Sequence, residues 1–270
     1  MMTKAMTYDD NYICEQLKLF KLVDIRENYQ RIIEEAIKEK LGYKDFIIRL
    51  IQVEEEGKKR RLTERLTLKA GFDFIKTLDD IRYDFNESIN YQKVKELGTL
   101  SFMDRNENII IIGPPGVGKS MIATGIGINA CNAGKTVMFI NAKELMDKLS
   151  EAVKKDTLKQ MLKALNKVQL LIIDELSYVK MDKEKESIFF QVIRQRYEKS
   201  SLIITTNLPL SRWDEIFTGQ LAATAILDRL VHHCHILSIT GDSFRVKGEK
   251  YLPEIKQEEK PKKQNTKEGK

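Results

Sequence analysis

The chain has 270 residues, 42% of them hydrophobic and 32% charged, with only 5 Pro and 14 Gly. That is apolar enough for a real core, and it excludes collagen-like, linker-dominated or wholly disordered material. The net charge of +6 is weak grounds for nucleic-acid binding, because residues 247–270, with eight Lys and five Glu, carry half of it.

Length predicts about two domains, or one with an appendage. No apolar run approaches the ~20 residues of a membrane span, and the first ten residues lack an apolar signal core, so neither a membrane nor export is expected. Cys14, Cys131 and Cys234 are odd in number and far apart. They support no disulfide framework and no cysteine-built zinc finger, and a reducing cytoplasm suits them best.

The first seventy residues read as helices. Ile13, Leu17, Phe20 and Val23 recur at helical spacing, as do Ile25, Tyr29, Ile32, Ile33, Ala36 and Ile37, and then Phe46, Ile47, Leu50, Ile51 and Val53. Gly42 is expected to end the second helix. The third runs into the charged stretch 54–61, which reads either as a solvated helix face with i,i+4 pairs or as a basic strip for phosphates. Residues 71–105 read as a connector with one helix over 87–97. Apolar strands follow at 109–112, 136–140, 169–173, 202–206 and 235–239, with amphipathic helices between them, as at 121–131 and 186–197. Continuous apolar strands alternating with helices predict an α/β fold, a parallel sheet covered on both faces. The predicted division is a helical domain over 1–70, an α/β domain over 71–247 that includes the connector, and a charged, disordered tail over 248–270.

The stretch Gly113-Pro114-Pro115-Gly116-Val117-Gly118-Lys119-Ser120 fits G-x-x-x-x-G-K-[ST] between an apolar strand and a helix. Small residues let the backbone wrap phosphates with N–H groups pointing inward, and the following helix, from Lys119 through Met121, presents its N-terminus to the anion. Lys119 is expected on the β- and γ-phosphates of ATP and the Ser120 hydroxyl on Mg²⁺. The third strand ends Asp174-Glu175, a Walker B pattern. Asp174 would hold the Mg²⁺ shell through water, and Glu175 would polarise the attacking water. The fourth ends at Asn207, whose amide can bond the γ-phosphate or the water.

Arg229 and Arg245 are candidates for stabilising charge on a transferred phosphoryl group. His232, His233 and His235 are every histidine in the chain, and on a strand His233 and His235 would share a face. With no further His and no acid within two residues, the cluster is expected to pack at the start of the fifth strand rather than hold metal. Trp213 reads as a packing anchor.

From about residue 17 to 247 the chain resembles the IstB family, ATPase helpers of insertion-sequence transposases and relatives of DnaC-type helicase loaders within the AAA+ ATPases. The matching stretches are the 113–120 loop, 171–178, 203–213, 227–233 and 241–245. The resemblance implies a five-stranded sheet of order 5-1-4-3-2, Asn207 as the sensor-1 residue and Arg245 as the sensor-2 residue. It implies that Arg229 is an arginine finger acting on ATP held by a neighbouring subunit of a homo-oligomer. It further implies ATP-dependent assembly on double-stranded DNA and recruitment of a cognate transposase in a bacterial cytoplasm. Ser177 stands where the family often has Gly, Phe244 where it often has Tyr, and Ser120 in place of the commoner Thr. A helicase loader shares the motor residues and is the alternative. A small-molecule kinase is disfavoured, because Asp174-Glu175 and Asn207 suit water activation. Residues 58–61, 154–155 and 180–185 are candidate DNA contacts.

Overall fold

The structure, a computed structural model, describes residues 9–84, 86–241 and 243. Arg245 and the charged tail lie outside the described residues. Three helices come first, α1 (Asp10–Leu19), α2 (Val23–Glu39) and α3 (Tyr43–Ala70). After a connector come α4 (Tyr91–Gly98) and the single turn α5 (Ser101–Asp104). The rest alternates: β1 (Asn108–Ile112), α6 (Lys119–Asn132), β2 (Val137–Asn141), α7 (Ala142–Lys154), α8 (Leu158–Asn166), β3 (Leu170–Asp174), α9 (Lys183–Arg196), β4 (Ser201–Thr206), α10 (Gln220–Val231) and β5 (Cys234–Ser238).

The strands form one parallel sheet in the order β2-β3-β4-β1-β5, which is 5-1-4-3-2 from the other edge. Side chains alternate across its two faces. Ile110, Leu171, Ile173, Leu202 and Ile204 face a core filled from α7, α8, α9 and α10. Ile109, Ile111, Leu170, Ile172 and Ile203 face a second core, filled from α4, α6 and the end of α3 at Ala70. Two covered faces explain why β3 and β4 are buried throughout and read as unbroken apolar runs. Asn108, buried at the start of β1, donates to Leu230 O and accepts from Leu202 N, stitching β1, β4 and α10 together.

Two local expectations are corrected. Lys40, in left-handed backbone at φ +54°, closes α2, while Gly42 is the N-cap of α3. The connector's helix starts at Tyr91 rather than at residue 87, because the Asn90 side chain caps it by accepting from Lys93 N. Residues 87–89 are turns instead.

The charged stretch is largely the solvated helix face expected, with Glu55, Glu56, Lys58, Lys59 and Arg60 exposed and an i,i+4 pair between Lys58 and Glu54 at 3.9 Å, but its buried side does more. It clamps α2 to α3. Leu22 gives the start of α2 no side-chain cap, and the buried Glu54 carboxylate replaces it by accepting from Asp24 N at 2.9 Å and Ile25 N at 3.2 Å. Asp24, also buried, accepts from Arg60 at 2.9 Å and from Arg61, and Arg61 reaches Glu54 at 3.2 Å. The close approach requires Gly57, where an added Cβ would lie 1.8 Å from Asp24 Cγ. Three of the four basic residues at 58–61 therefore pair with Asp24 or Glu54.

Candidate nucleotide site

The loop between β1 and α6 forms because its residues permit it. Gly116 (φ +80°) and Gly118 (φ +101°) both adopt left-handed backbone, where a Cβ would clash. Gly113 N donates to Thr206 O at 3.2 Å, fixing the loop's start to β4. At its end α6 begins at Lys119, with no side chain capping its first N–H groups. A helix N-terminus left uncapped in this way attracts an anion. The buried Lys119 donates from Nζ to Pro114 O at 2.8 Å.

Above the loop lies a cavity of about 440 Å³, lined by Pro115 through Met121, Glu175, Tyr178 and Asn207. The structure thus brings together the loop, the residue after β3 and the residue after β4. These are the carboxyl ends of parallel strands, where open α/β sheets bind ligands.

The strand ends are tightly ordered. Asp174 accepts from Ser120 Oγ at 2.9 Å and from Thr205 Oγ1, and Thr205 Oγ1 in turn accepts from Glu175 N at 2.9 Å. A hydroxyl and a carboxylate touching each other beside inward N–H groups are the hard oxygen donors that Mg²⁺ takes together with phosphate oxygens, so the donor set fits that ion. Glu175 sits in left-handed backbone at φ +60°. For a non-glycine residue this costs roughly 1–2 kcal/mol. The turn swings its carboxylate towards the end of β2, where Asn141 Nδ2 donates to Oε2 at 3.1 Å. Asn207 donates from Nδ2 to the Tyr178 hydroxyl at 2.9 Å and from its backbone N to Ser177 Oγ at 3.1 Å. Ser177 therefore contributes a hydroxyl that glycine would lack.

Arg229 is not brought to this cavity. On α10, its guanidinium donates to Ala225 O at 2.8 Å and lies over the Phe190 ring of α9, 4.8 Å from its centroid. Arg245 lies outside the described residues, but Ser243, two positions earlier, packs on Gly116.

Several site residues escaped sequence reasoning. Phe74, Lys76, Asp80, Ile81, Arg82, Asn86 and Ile89, all from the connector, form the remaining wall of the cavity. Asn86 and Ser88 donate to Thr240 O at 2.9 and 2.7 Å, fastening this wall to the segment after β5. Asn141 was legible only as the N-cap of α7, where Oδ1 accepts from Lys143 N at 2.9 Å. The same side chain holds Glu175. Asn141→Ala should therefore lower thermal stability by the loss of a cap, about 1 kcal/mol, and should also alter basal nucleotide turnover. A variant changed in stability alone would remove Asn141 from the site.

Cys131 and Cys234 are not candidates for nucleophilic chemistry. Burial pushes Cys234 up to about 12 and raises Cys131 as well, and all three thiols are free. Trp213 is fully buried, as a packing anchor should be. Among the described residues no helix is long and apolar enough to cross a membrane.

The fold and much of the sequence have known counterparts. The chain is 37% identical over 231 residues to the insertion sequence IS21 ATP-binding protein of Pseudomonas aeruginosa, covering 86% of this chain and 87% of that one. It is 35% identical over 231 residues to its IS232 counterpart in Bacillus thuringiensis, covering 86% and 92%. Among solved structures, DnaI superposes with a TM-score of 0.54 at 17% identity, over 61% of this chain and 91% of that one. AMPPCP-bound DnaA from Aquifex aeolicus does so with 0.55 at 20%, over 67% and 55%. These two likenesses bear on the fold alone, which is that of the AAA+ P-loop ATPases. With the model of the IstB-like ATP binding proteins matching residues 14–251, a span that takes in the loop, both strand-end motifs and α10, the chain belongs to that family.

Proposed function

We propose that this chain binds ATP with Mg²⁺ in the 440 Å³ cavity, hydrolyses it, and uses the cycle to assemble copies of itself on duplex DNA and recruit a transposase. The observation that carries hydrolysis is the position of Glu175. Its carboxylate lines the cavity beside Asn207 and is held by Asn141, while its neighbour Asp174 contacts Ser120. In this reading the loop N–H groups and Lys119 bind the β- and γ-phosphates, and Glu175 takes a proton from the water that attacks the γ-phosphorus. The bond to the β,γ-bridging oxygen breaks, and ADP and phosphate leave. Asn207, released from Tyr178, orients the γ-phosphate or the water. Ser120 and, through water, Asp174 would hold Mg²⁺, which when bound neutralises charge on the phosphate oxygens.

Assembly is supported by Arg229. It lies outside the cavity of its own chain, so it reaches a phosphoryl group only across a junction between copies, where such an arginine raises turnover about 10³–10⁵-fold. The insertion-sequence names of the relatives favour a transposase as partner over a helicase. Within this reading residues 1–70 form a helical module that faces the partner, 71–247 the motor, and Arg245 the sensor-2 contact.

The test mixes two inactive proteins. Arg229→Ala and Glu175→Gln should each hydrolyse ATP poorly with duplex DNA present. Mixed in equal amounts they should recover activity, because about a quarter of head-to-tail junctions in a random mixture then pair an intact glutamate with an intact arginine. Mixed oligomers that form and stay inactive would overturn action in trans. A chain that remains monomeric with duplex and a non-hydrolysable ATP analogue would overturn assembly.

A further inference from the structure

We propose that Glu198, His232 and His233 form a binding site for a divalent transition metal of the Zn²⁺ class, separate from the nucleotide cavity. No acid lies within two residues of the histidines along the chain, but the fold supplies one. Glu198 lies just past the end of α9, and His232 and His233 lie just past the end of α10, where one donor atom from each falls within 4.8 Å of the others. His233 Nε2 stands 3.8 Å from Glu198 Oε1, and the two imidazoles meet edge to face with centroids 4.2 Å apart.

Bonds of about 2.0–2.2 Å to a tetrahedral ion place neighbouring donors near 3.3 Å. The three side chains are exposed, and in the proposed site their rotation closes the present spacing of up to 4.8 Å.

The backbone under these side chains is fixed. Past α9, the buried Arg196 donates to Leu165 O at 2.7 Å and to Ser201 O at 3.0 Å, and Asn106 Nδ2 donates to Glu198 O at 3.1 Å. Past α10, Asn108 N donates to His233 O at 2.8 Å. Both ligand-bearing turns are thereby anchored around the start of β1. The Tyr197 hydroxyl lies 3.0 Å from His232 Nδ1 and steadies that ring, the kind of outer partner that metal-binding histidines commonly have.

His235, the remaining histidine, is already committed to Glu107 at 2.7 Å. The Arg105 guanidinium, with a smaller contribution from His235, holds that carboxylate at about 2. The expected face-sharing of His233 and His235 thus gives way to two different acidic partners.

Two imidazoles and one carboxylate select Zn²⁺, Co²⁺, Ni²⁺ or Cu²⁺ over Mg²⁺ and leave a fourth position for water. None of the three residues lines the nucleotide cavity. An ion here would tie the end of α9 to the end of α10, the helices that carry Phe190 and Arg229.

The test uses full-length chain without a histidine tag, titrated with Zn²⁺ and with Co²⁺ in the presence of excess Mg²⁺. One ion per chain should bind, and Co²⁺ should give the intense visible bands of a four-coordinate site. His232→Ala, His233→Ala and Glu198→Gln should each weaken Zn²⁺ binding at least about tenfold. The three side chains are exposed, so unchanged circular dichroism should accompany that loss. His235→Gln should bind as the parent does. Failure to bind Zn²⁺ with a Kd of about 100 µM or tighter overturns the proposal. So does undiminished binding by the His232→Ala/His233→Ala double variant, or binding lost only with His235.

Discussion

Replacing Glu175 by Gln should leave ATP affinity within about threefold of the parent while lowering turnover about 10²–10⁴-fold, the span of a general base. The amide keeps the shape of the carboxylate, so the left-handed turn at φ +60° and the bond from Glu175 N to Thr205 need not change. What is lost is the capacity to take a proton. In the proposed site phosphate binding rests instead on the loop N–H groups, Lys119 and Ser120, which the substitution does not touch. Equilibrium binding of a fluorescent ATP analogue, set beside phosphate release with duplex present, separates the two effects. Turnover within about threefold of the parent would remove Glu175 as the base. Equal losses of affinity and turnover would instead assign it to binding.

Gly57→Ala should destabilise the α2–α3 hairpin by about 3–5 kcal/mol, the cost of breaking a buried ionic network. The new methyl group would occupy the position of the Asp24 carboxylate, 1.8 Å from Cγ. Displacing that carboxylate leaves Arg60 and Arg61 without their shared acceptor and pulls α2 from the Glu54 carboxylate that caps it. Hydrogen exchange at the Asp24 and Ile25 amides should accelerate about 10²-fold or more. Exchange across β3 and β4, buried in the sheet, should change far less. Alanine is otherwise the better helix former by about 1 kcal/mol, so a stabilised variant would show that helix propensity outweighs the clamp.

The motor's frame was legible because its physics is local. Four consecutive isoleucines at the start of a phosphate loop, an apolar run ending in two acids and another ending in Thr-Thr-Asn each fix their own strand. The observed strands differ from expectation by about one residue. The side chains that serve two elements at once were not legible. Asn141 reads as an ordinary helix cap and Thr205 as a β-branched strand residue until the sheet sets them beside Glu175 and Asp174. The cavity wall from the connector follows no periodicity, so Ile81, Arg82 and Asn86 carried no signal. Charge misled in a different way. The run at 58–61 does face solvent, but its links to Asp24 were hidden because that acceptor is distant in sequence, and Glu198 was invisible beside the histidines for the same reason.

Helix α3 is unbroken for 28 residues, a rod of about 42 Å. Its near end is rooted at Ala70 in the sheet's core, and the Asp24 clamp fastens α2 to it around its middle. Immediately beyond the root the chain runs into Phe74, Lys76, Ile81 and Arg82, the wall over the phosphate loop. A displacement of the hairpin would therefore reach the cavity wall through one continuous helix and the few residues that follow it.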